Sequence, residues 1–360
     1  MNEDYVSIVV PTFREAQNIP VLVERVGASM KQAGLPYEIV IVDDDSNDGI
    51  IEVVERLKAT CDITLKVRKN ERGLSSAVLA GFKAAKGSVF VVMDADLSHE
   101  PEKIPQLVAP ILAGQSDFCL GSRFVEGGSL DCFNVYRRLN AWVSKTLARP
   151  LTKVNDPMSG FFSLPAKLLN NHVELSPLGF KIGLEIIVKC APGRVREVPI
   201  EFQKRLHGQS KLSLKEQIKY LVHLKRLYEH KFTTLSQFIK FSMVGCAGMC
   251  VDLSLTYVAK STWLLPFYVA RVVGFVFALT LNFLLNRRFT FPKARARAAT
   301  AQYVMFFGVC LLGLFVNWLT SVSLYYAIPF FNTHYLIASF VGILMGLTVN
   351  FTGSKFIAFK

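Results

Sequence analysis

The sequence predicts an α/β domain with a doubly wound sheet, followed by an all-α membrane domain of four transmembrane helices. Before about residue 230, short apolar runs alternate with helical patterns, which is typical of strand–helix–strand units. After that point four long apolar runs follow, and each approaches the roughly 20 residues that a bilayer span requires. The formal net charge is +13 and 51% of the residues are hydrophobic, which favours a membrane over nucleic acid as the partner.

Strands and helices alternate through the first hundred residues. We expect strands over residues 6–10, 38–42, 64–67 and 89–93, and helices over 19–32 and about 75–85, with a further helix between the second and third strands. Polar residues follow three of these strands, at positions 11–15, 43–45 and 94–96. In open α/β sheets ligands bind outside the carboxyl ends of the strands, so the three loops should converge on one crevice.

The run V-F-V-V-M-D-A-D at residues 89–96 reads as a buried strand that delivers two carboxylates, Asp94 and Asp96, to its carboxyl end. In nucleotide enzymes Mg²⁺ or Mn²⁺ is usually held by one or two carboxylates together with substrate phosphates. An ordinary acidic turn is the alternative. His99 follows this motif without a second His at metal spacing, so we interpret it as structural. The seven cysteines show no zinc spacing, and we interpret them as reduced thiols.

A series of short motifs extends these loops: P-T-F-R-E at 11–15, V-D-D-D-S-N-D-G at 42–49, R-G-L at 72–74, M-D-A-D-L-S-H-E-P-E at 93–102, G-S-R-F at 121–124, Y-R-R-L at 136–139, D-P-M-S-G-F-F at 156–162, G-F-K at 179–181 and H-G-Q-S-K-L at 207–212. In this order they resemble glycosyltransferase family 2, and within it the dolichyl-phosphate (polyprenyl-phosphate) mannose synthases. The resemblance covers about residues 5–215. It implies a GT-A (Rossmann-like) catalytic domain, which we place at residues 1–213.

The resemblance also implies roles for individual residues. The nucleotide's base and ribose would contact Pro11, Thr12, Phe13, Glu15, Val42 and Asp44. The diphosphate and the metal would meet Asp94, Ala95 and Asp96, with Ser98 at the position of a third metal ligand. Further substrate contacts would come from the basic residues Arg123, Arg137, Lys181, Arg205 and Lys211. For Arg205 and Lys211 the alternative is that both are solvated loop charges. Of this set, Asp96, Arg123 and Arg137 are the predicted catalytic residues.

The reaction implied by the resemblance is inverting transfer of mannose from GDP-mannose to dolichyl or another polyprenyl phosphate, with Mg²⁺ or Mn²⁺ as cofactor. A phosphate monoester is largely ionised at neutral pH, so no general base is strictly required. Arginine forks such as those of Arg123 and Arg137 suit the holding of this anionic nucleophile. UDP-glucose as donor and a lipid-linked sugar transporter are the alternatives. A processive polysaccharide synthase is disfavoured because no Q-x-x-R-W motif occurs.

The second half of the chain predicts attachment to the bilayer. Residues 214–231 have the apolar stripe and the lysines of an amphipathic helix, which would either lie on the membrane or pack on the globular domain; we assign residues 214–234 to interface helices. Apolar runs at about 238–259, 266–285, 303–327 and 335–356 predict four spans. Arg and Lys lie between the second and third runs and before the first. The positive-inside rule then places the catalytic domain and the C-terminus in the cytoplasm, in a multi-pass protein of the cell membrane.

The four apolar runs form two similar halves, which resemble the GtrA-like family of four-span proteins across residues 235–360. Residues 237–252 match 302–317, and residues 279–287 match 347–355. Two helical hairpins of the same orientation are therefore expected. Polar residues occur inside the spans at Asp252, Asn282, Asn317 and Asn350. An intramembrane carboxylate suggests a functional site, and hydrogen bonding between helices is the alternative.

Overall fold

The computed structural model describes residues 4–129, 135–170, 174–176, 178–179, 181–203, 214–296 and 298–360. The chain divides into two compact units, Met1–Lys231 and Phe232–Lys360. The strands of the first unit are β1 (Val6–Thr12), β2 (Tyr37–Asp43), β3 (Ile63–Val67), β4 (Val89–Val92), β5 (Phe118–Ser122), β6 (Phe162–Pro165) and β7 (Val195–Pro199). Its helices are α1 (Ile19–Gln32), α2 (Ile50–Leu57), α3 (Leu74–Ala84), α4 (Ile104–Leu112), α5 (Val135–Ala148), α6 (Ile182–Cys190) and α7 (Leu214–Lys231).

The seven strands form one sheet in the order β3-β2-β1-β4-β6-β5-β7. The first four are parallel, and β6 runs antiparallel to both β4 and β5. Side chains alternate between two apolar layers, so that Ile8 packs in one core and Val9 in the other. Because β1 has β2 on one side and β4 on the other, the strand order reverses here, and the crevice lies at that switch point. The predicted α/β GT-A fold is confirmed, with an antiparallel β6 that the sequence did not predict.

The three predicted loops leave the sheet through left-handed backbone. Arg14 after β1, Asp45 after β2 and Leu97 after β4 have φ angles of 61°, 53° and 58°. Residues other than glycine adopt this region at a cost, and they persist there where the surroundings fix the conformation. Each strand therefore ends in a sharp turn that presents its polar residues at the sheet edge.

The second unit contains α8 (Thr233–Ser261), α9 (Phe267–Leu285), α10 (Ala299–Ala327), the short α11 (Pro329–Thr333) and α12 (Tyr335–Gly353). One turn of π-helix extends α9 over Asn286–Thr290, and another extends α12 over Ser354–Ala358. Four of these helices are long and apolar enough to cross a membrane: Thr233–Ser261, Phe267–Thr290, Ala299–Ala327 and Tyr335–Ala358. The four predicted spans are confirmed.

The predicted repeat is visible as two hairpins, α8 with α9 and α10 with α12. A Cβ built on Gly248 would lie 2.2 Å from Asn282 Oδ1, and one built on Gly313 would lie 2.0 Å from Asn350 Oδ1. Each glycine thus allows an asparagine of the partner helix to approach the backbone, as small residues do in membrane bundles. Matching phenylalanines fill one shared core: Phe241 with Phe306, Phe283 with Phe351, and Phe291 with Phe359.

Candidate active site

A cleft of about 910 Å³ opens in the first unit at the carboxyl ends of β1, β2 and β4. Eleven of the predicted residues line it: Pro11, Thr12, Phe13, Glu15, Asp44, Asp94, Ala95, Asp96, Arg123, Arg137 and Lys181. Val42 and Ser98 are fully buried behind the wall of the cleft. Arg205 and Lys211 lie outside the described residues. The convergence of the three loops on one crevice is therefore observed for most of the predicted residues.

The loop after β2 is fixed by a buried ion pair that the sequence did not reveal. Asp44 Oδ1 accepts a hydrogen bond of 2.8 Å from Arg68 Nε, and its Oδ2 accepts one of 2.8 Å from the N–H of Gly73. Arg68 also donates to the carbonyl of Gly73 at 3.1 Å. Gly73 has a φ of 137°, which favours glycine. In this structure Asp44 therefore holds the loop that carries the R-G-L motif, and it shapes the cleft through that loop.

Phe13 lies at the mouth of the same end of the cleft. The guanidinium of Arg14 is 5.4 Å from its ring centroid and that of Arg72 is 5.1 Å away. Asp43 and Asp45 do not line the cleft; Asp43 accepts hydrogen bonds from Thr12 Oγ1 at 3.1 Å and from the N–H of Ser46 at 2.8 Å. An aromatic face flanked by cations is suited to a base and its attached phosphates.

The two carboxylates after β4 have different surroundings. The side chain of Asp94 is 32% exposed, whereas Asp96 is buried, and Ser98 holds the Oδ1 of Asp96 through its hydroxyl at 2.6 Å and its N–H at 3.1 Å. Ser98 thus orients Asp96 from behind the wall of the cleft, and its predicted contact with metal would run through that carboxylate. A Cβ added to Gly160 would stand 3.6 Å from both oxygens of Asp94, so glycine keeps space open there.

The residues present fit a divalent cation. Asp94, Asp96, Arg123 and Lys181 line the cleft, and Asp156 pairs with Arg123, so Asp94 and Asp96 beside Lys181 leave one negative charge in excess among these groups. Within the described part of the chain, no group of three His, Cys, Asp or Glu side chains could hold a metal by itself. Two carboxylates that need oxygen ligands from a bound phosphate match the usual coordination of Mg²⁺ or Mn²⁺ in nucleotide enzymes.

His99 supports the loop after β4. Its Nδ1 accepts a hydrogen bond of 3.2 Å from the N–H of Asp94, and its ring stacks on Phe161 at a centroid distance of 5.1 Å. Burial lowers the pKa of His99, although the carboxylates of Asp94 and Asp96 oppose that shift. The structural interpretation of this residue agrees with a neutral imidazole that anchors the backbone of Asp94.

Arg123 is predicted to hold a phosphate, yet its fork already faces a carboxylate. Its Nε and Nη2 donate to the two oxygens of Asp156 at 2.7 and 2.8 Å, and its N–H donates to the same carboxylate at 3.0 Å. Burial raises the pKa of Asp156, but the charge and hydrogen bonds of Arg123 outweigh it and hold that pKa low. Glu197 on β7 fixes the loop by accepting from the N–H groups of Asn155 and Asp156 at 2.9 and 3.1 Å. The bidentate face of Arg123 is thus taken by the protein itself.

Lys181, just before α6, is the other cation at the floor of the cleft. Its Nζ donates to the carbonyl of Met158 at 3.0 Å. Burial lowers the pKa of Lys181 from its ordinary 10.5 to about 8, with a further lowering by Arg123 and an opposing effect of Asp156 and Asp94. An ammonium that is desolvated in this way gains more from an arriving anion than a solvated one does.

Helices α5 and α7 form the outer wall of the cleft. Tyr220 on α7 donates to the carbonyl of Ser144 at 2.8 Å, and Tyr228 donates to that of Leu147 at 2.8 Å. Large apolar side chains remain exposed on both helices: Val135, Tyr136, Leu139, Trp142, Val143 and Leu147 on α5, and Ile218, Leu221 and Val222 on α7. We call this set the apolar platform. The opposite face of α7 is buried at Leu224 and Leu227, so the helix both packs on the globular unit and presents apolar residues outward.

Sequence comparisons agree with this architecture. Residues 7–172 match the family described as Glycosyl transferase family 2, and residues 240–359 match the GtrA/DPMS transmembrane domain. The dolichol-phosphate mannosyltransferase of Pyrococcus furiosus is 37% identical over 350 residues, covering 96% of this chain and 97% of that protein. That of Saccharomyces cerevisiae is 41% identical over 259 residues, covering 69% and 96%. Among solved structures, glucosyl-3-phosphoglycerate synthase from Mycobacterium tuberculosis has 17% identity and a TM-score of 0.48, covering 63% of this chain and 80% of that chain.

The fold and the cleft define a glycosyltransferase with a catalytic α/β domain, joined to helices that cross a membrane several times. The chain belongs to glycosyl transferase family 2, in the group whose catalytic domain is followed by a GtrA/DPMS transmembrane domain.

Proposed function

We propose that the protein transfers mannose with inversion from GDP-mannose to dolichyl or another polyprenyl phosphate. The observation that carries this proposal is the composition of one cavity. Carboxylates at a strand end and the buried cations Arg123 and Lys181 line its floor, and α5, whose outer side is exposed and apolar, forms its wall. A sugar nucleotide needs the first set of groups and a lipid phosphate needs the second. The names of the relatives, dolichol-phosphate mannosyltransferases, support mannose as the sugar.

The donor would occupy the end of the cleft near Phe13. Asp94 and Asp96 would hold Mg²⁺ or Mn²⁺, which when bound neutralises negative charge that grows on the leaving diphosphate. Lys181 would donate hydrogen bonds to the same phosphates. Its desolvated ammonium would be stabilised as negative charge develops on the leaving diphosphate. The pair with Asp156 holds the guanidinium of Arg123 in one position at the floor of the cleft.

The acceptor would enter from the apolar platform. Its phosphate is already an ionised nucleophile at neutral pH, so the protein's task is to position one anion beside another. Arg137, on α5, lines the cleft, and α5 also carries residues of the apolar platform. We assign Arg137 to the acceptor phosphate and the platform to the first isoprene units of the lipid.

The decisive assay incubates the purified full chain in detergent with polyprenyl phosphate and a panel of nucleotide sugars, and identifies the lipid product by mass spectrometry. We expect mannosyl transfer from GDP-mannose only. Preferential transfer from UDP-glucose would show that the donor is UDP-glucose and not GDP-mannose. Movement of lipid-linked sugar across vesicle membranes, without any synthesis, would favour a transporter instead.

Truncation separates catalysis from membrane attachment. The first unit ends at Lys231, so a chain cut there keeps the whole cleft together with α7. We expect this fragment, kept in detergent because of its platform, to transfer mannose to a short polyprenyl phosphate and to lose efficiency with long lipids. A folded fragment that transfers to no acceptor would contradict this division of labour.

The basic residues beside the spans indicate on which side of the membrane the catalytic unit lies. Arg287 and Arg288 lie in the last turn of the second span and Lys293 follows it, while Lys225, Arg226 and Lys231 precede the first span. By the positive-inside rule the catalytic unit and the C-terminus face the cytoplasm. Protease treatment of sealed vesicles of both orientations should cleave the catalytic unit only where the cytoplasmic side is outside.

A further inference from the structure

Three charged side chains occur together near the turn of the first hairpin, within the membrane domain. Arg271 on α9 donates from Nη1 to Asp252 Oδ2 on α8 at 3.1 Å. Lys260, near the end of α8, places its Nζ 5.4 Å from the ring centroid of Phe267. Lys260, Phe267 and Arg271 line one cavity of about 820 Å³, whose other walls include Leu253 and Tyr257.

The charges in this cavity do not cancel. Asp252 is the one acidic residue in the sequence after Glu229, and it pairs with Arg271, so this part of the sequence supplies no second carboxylate for Lys260. The side chain of Arg271 is 44% exposed although it is paired. Charged residues within membrane segments are costly, and an excess cation there calls for an anionic partner.

The second hairpin shows that the fold does not require these charges. In the repeat register the three positions correspond to neutral residues: Asp252 to Asn317, Lys260 to Tyr325, and Arg271 to Ser339. The two hairpins share their packing at this depth. A Cβ on Gly274 would lie 2.5 Å from Asp252 Oδ1, and one on Gly342 would lie 2.6 Å from Asn317 Oδ1. The same helix pair is therefore built without a charge in one copy and with three in the other.

We propose that the cavity between Lys260 and Arg271 binds a lipid-borne phosphate at the end of the first hairpin where the chain turns. Arg271 begins the second turn of α9 and Lys260 is the penultimate residue of α8, so both lie near the level of lipid headgroups. One negative charge of the phosphate would neutralise the excess cation, while Leu253, Tyr257 and Phe267 would contact the acyl or isoprenoid chain. The phosphate comes either from a bilayer phospholipid or from a polyprenyl phosphate, and the site is separate from the catalytic cleft.

The test replaces the three charged residues of the first hairpin by the neutral residues at the matching positions of the second. The full chain carrying D252N, K260Y and R271S is compared with the wild type in detergent, because every new residue already occurs at the matching position of the second hairpin. R288S, which loses one positive charge in the basic connection, is the control. Binding of dioleoyl phosphatidic acid, a polyprenyl phosphate and phosphatidylcholine is measured by native mass spectrometry, and folding by thermal unfolding without added lipid.

We expect the triple variant to unfold at the temperature of the wild type and to bind at least one of the two phosphate lipids about tenfold more weakly. R288S should retain wild-type affinity. Weaker binding of polyprenyl phosphate alone in the triple variant assigns the cavity to the isoprenoid lipid, and weaker binding of phosphatidic acid assigns it to bilayer phospholipid. Unchanged affinity for both lipids overturns the proposal. If the triple variant does not fold, the same lipid affinities are measured for K260Q, which keeps the ion pair of Asp252 and Arg271. Weaker binding of a phosphate lipid supports the proposal, and unchanged affinity overturns it.

Discussion

The surroundings of Lys181 predict that activity falls at alkaline pH. Its pKa of about 8, against an ordinary 10.5, means that the protein disfavours the ammonium by roughly 3 kcal/mol, taking 1.36 kcal/mol per pKa unit. The free enzyme should therefore lose the charged form as pH rises through about 8. On the proposal that donor binding requires the ammonium, kcat/KM should fall about tenfold for each pH unit above that value.

A bound diphosphate should favour the charged form of Lys181 over the neutral form. The anion favours the charged form, so the pKa should rise on donor binding and the alkaline limb of kcat should lie at higher pH than that of kcat/KM. The groups that face the ammonium are Arg123, which lowers its pKa, and Asp156 and Asp94, which raise it. Donor binding near pH 9 should accordingly take up a proton, measurable by titration calorimetry in buffers of different ionisation enthalpy.

Substitution separates this cause from general alkaline inactivation. Lys181→Arg should remove the alkaline limb, because a guanidinium stays charged, while lowering overall activity through poorer fit. The matched control is Lys189→Arg on α6, a residue paired with Glu185 at 2.7 Å and outside the cleft. Lys189→Arg should keep the alkaline limb of kcat/KM. An alkaline limb that persists unchanged in Lys181→Arg would refute the assignment.

Three further predictions concern other parts of the molecule. Asp96→Ala should reduce transfer by about 10³-fold in a folded protein, and full wild-type activity in excess chelator would contradict the metal assignment. Arg137→Lys should raise the KM for the acceptor about tenfold, since lysine lacks the planar fork, whereas Arg138→Lys should not; equal loss of donor affinity in a binding titration would move Arg137 to the donor side. Gly248→Ala should lower the unfolding temperature in detergent, because the Cβ would lie 2.2 Å from an amide oxygen; Gly245→Ala, with nothing within 4 Å, should not.

The sequence predicted the helices and strands of this chain closely, because the spacing of apolar residues and the length of each apolar run indicate which element buries them. The helices α1 and α7 begin and end at the predicted residues, and the early strands differ by one or two residues at their ends. The first span begins at Thr233, five residues before the apolar run at 238. Hydropathy marks only the part of a helix that is apolar, whereas backbone hydrogen bonding continues through the polar turn before it.

Long-range partners within the cleft could not be predicted in the same way. The sequence singles out Asp44 and Arg123 through their motifs, but their partners Arg68 and Asp156 lie 24 and 33 residues away. Such pairs depend on which strand lies beside which, and here the antiparallel β6 is what returns the loop containing Asp156 to the crevice. The depressed pKa of Lys181 likewise requires burial that only the assembled sheet supplies.

Helix α5 shows why the acceptor and the membrane are best considered together. Arg137, Asn140, Ala141 and Ser144 line the cleft, and this spacing of three and four residues is one face of a helix. Of the platform residues on α5, Val143 and Leu147 also line the cleft, whereas Leu139 and Trp142 lie on its other sides. Since Arg123 is committed to Asp156, the guanidinium best placed to meet a phosphate arriving from the platform is that of Arg137. On the proposed assignment, one helix carries the lipid-contacting residues and the phosphate-binding Arg137 within two turns of each other, so an acceptor would stay in an apolar environment until its phosphate reached the reacting centre.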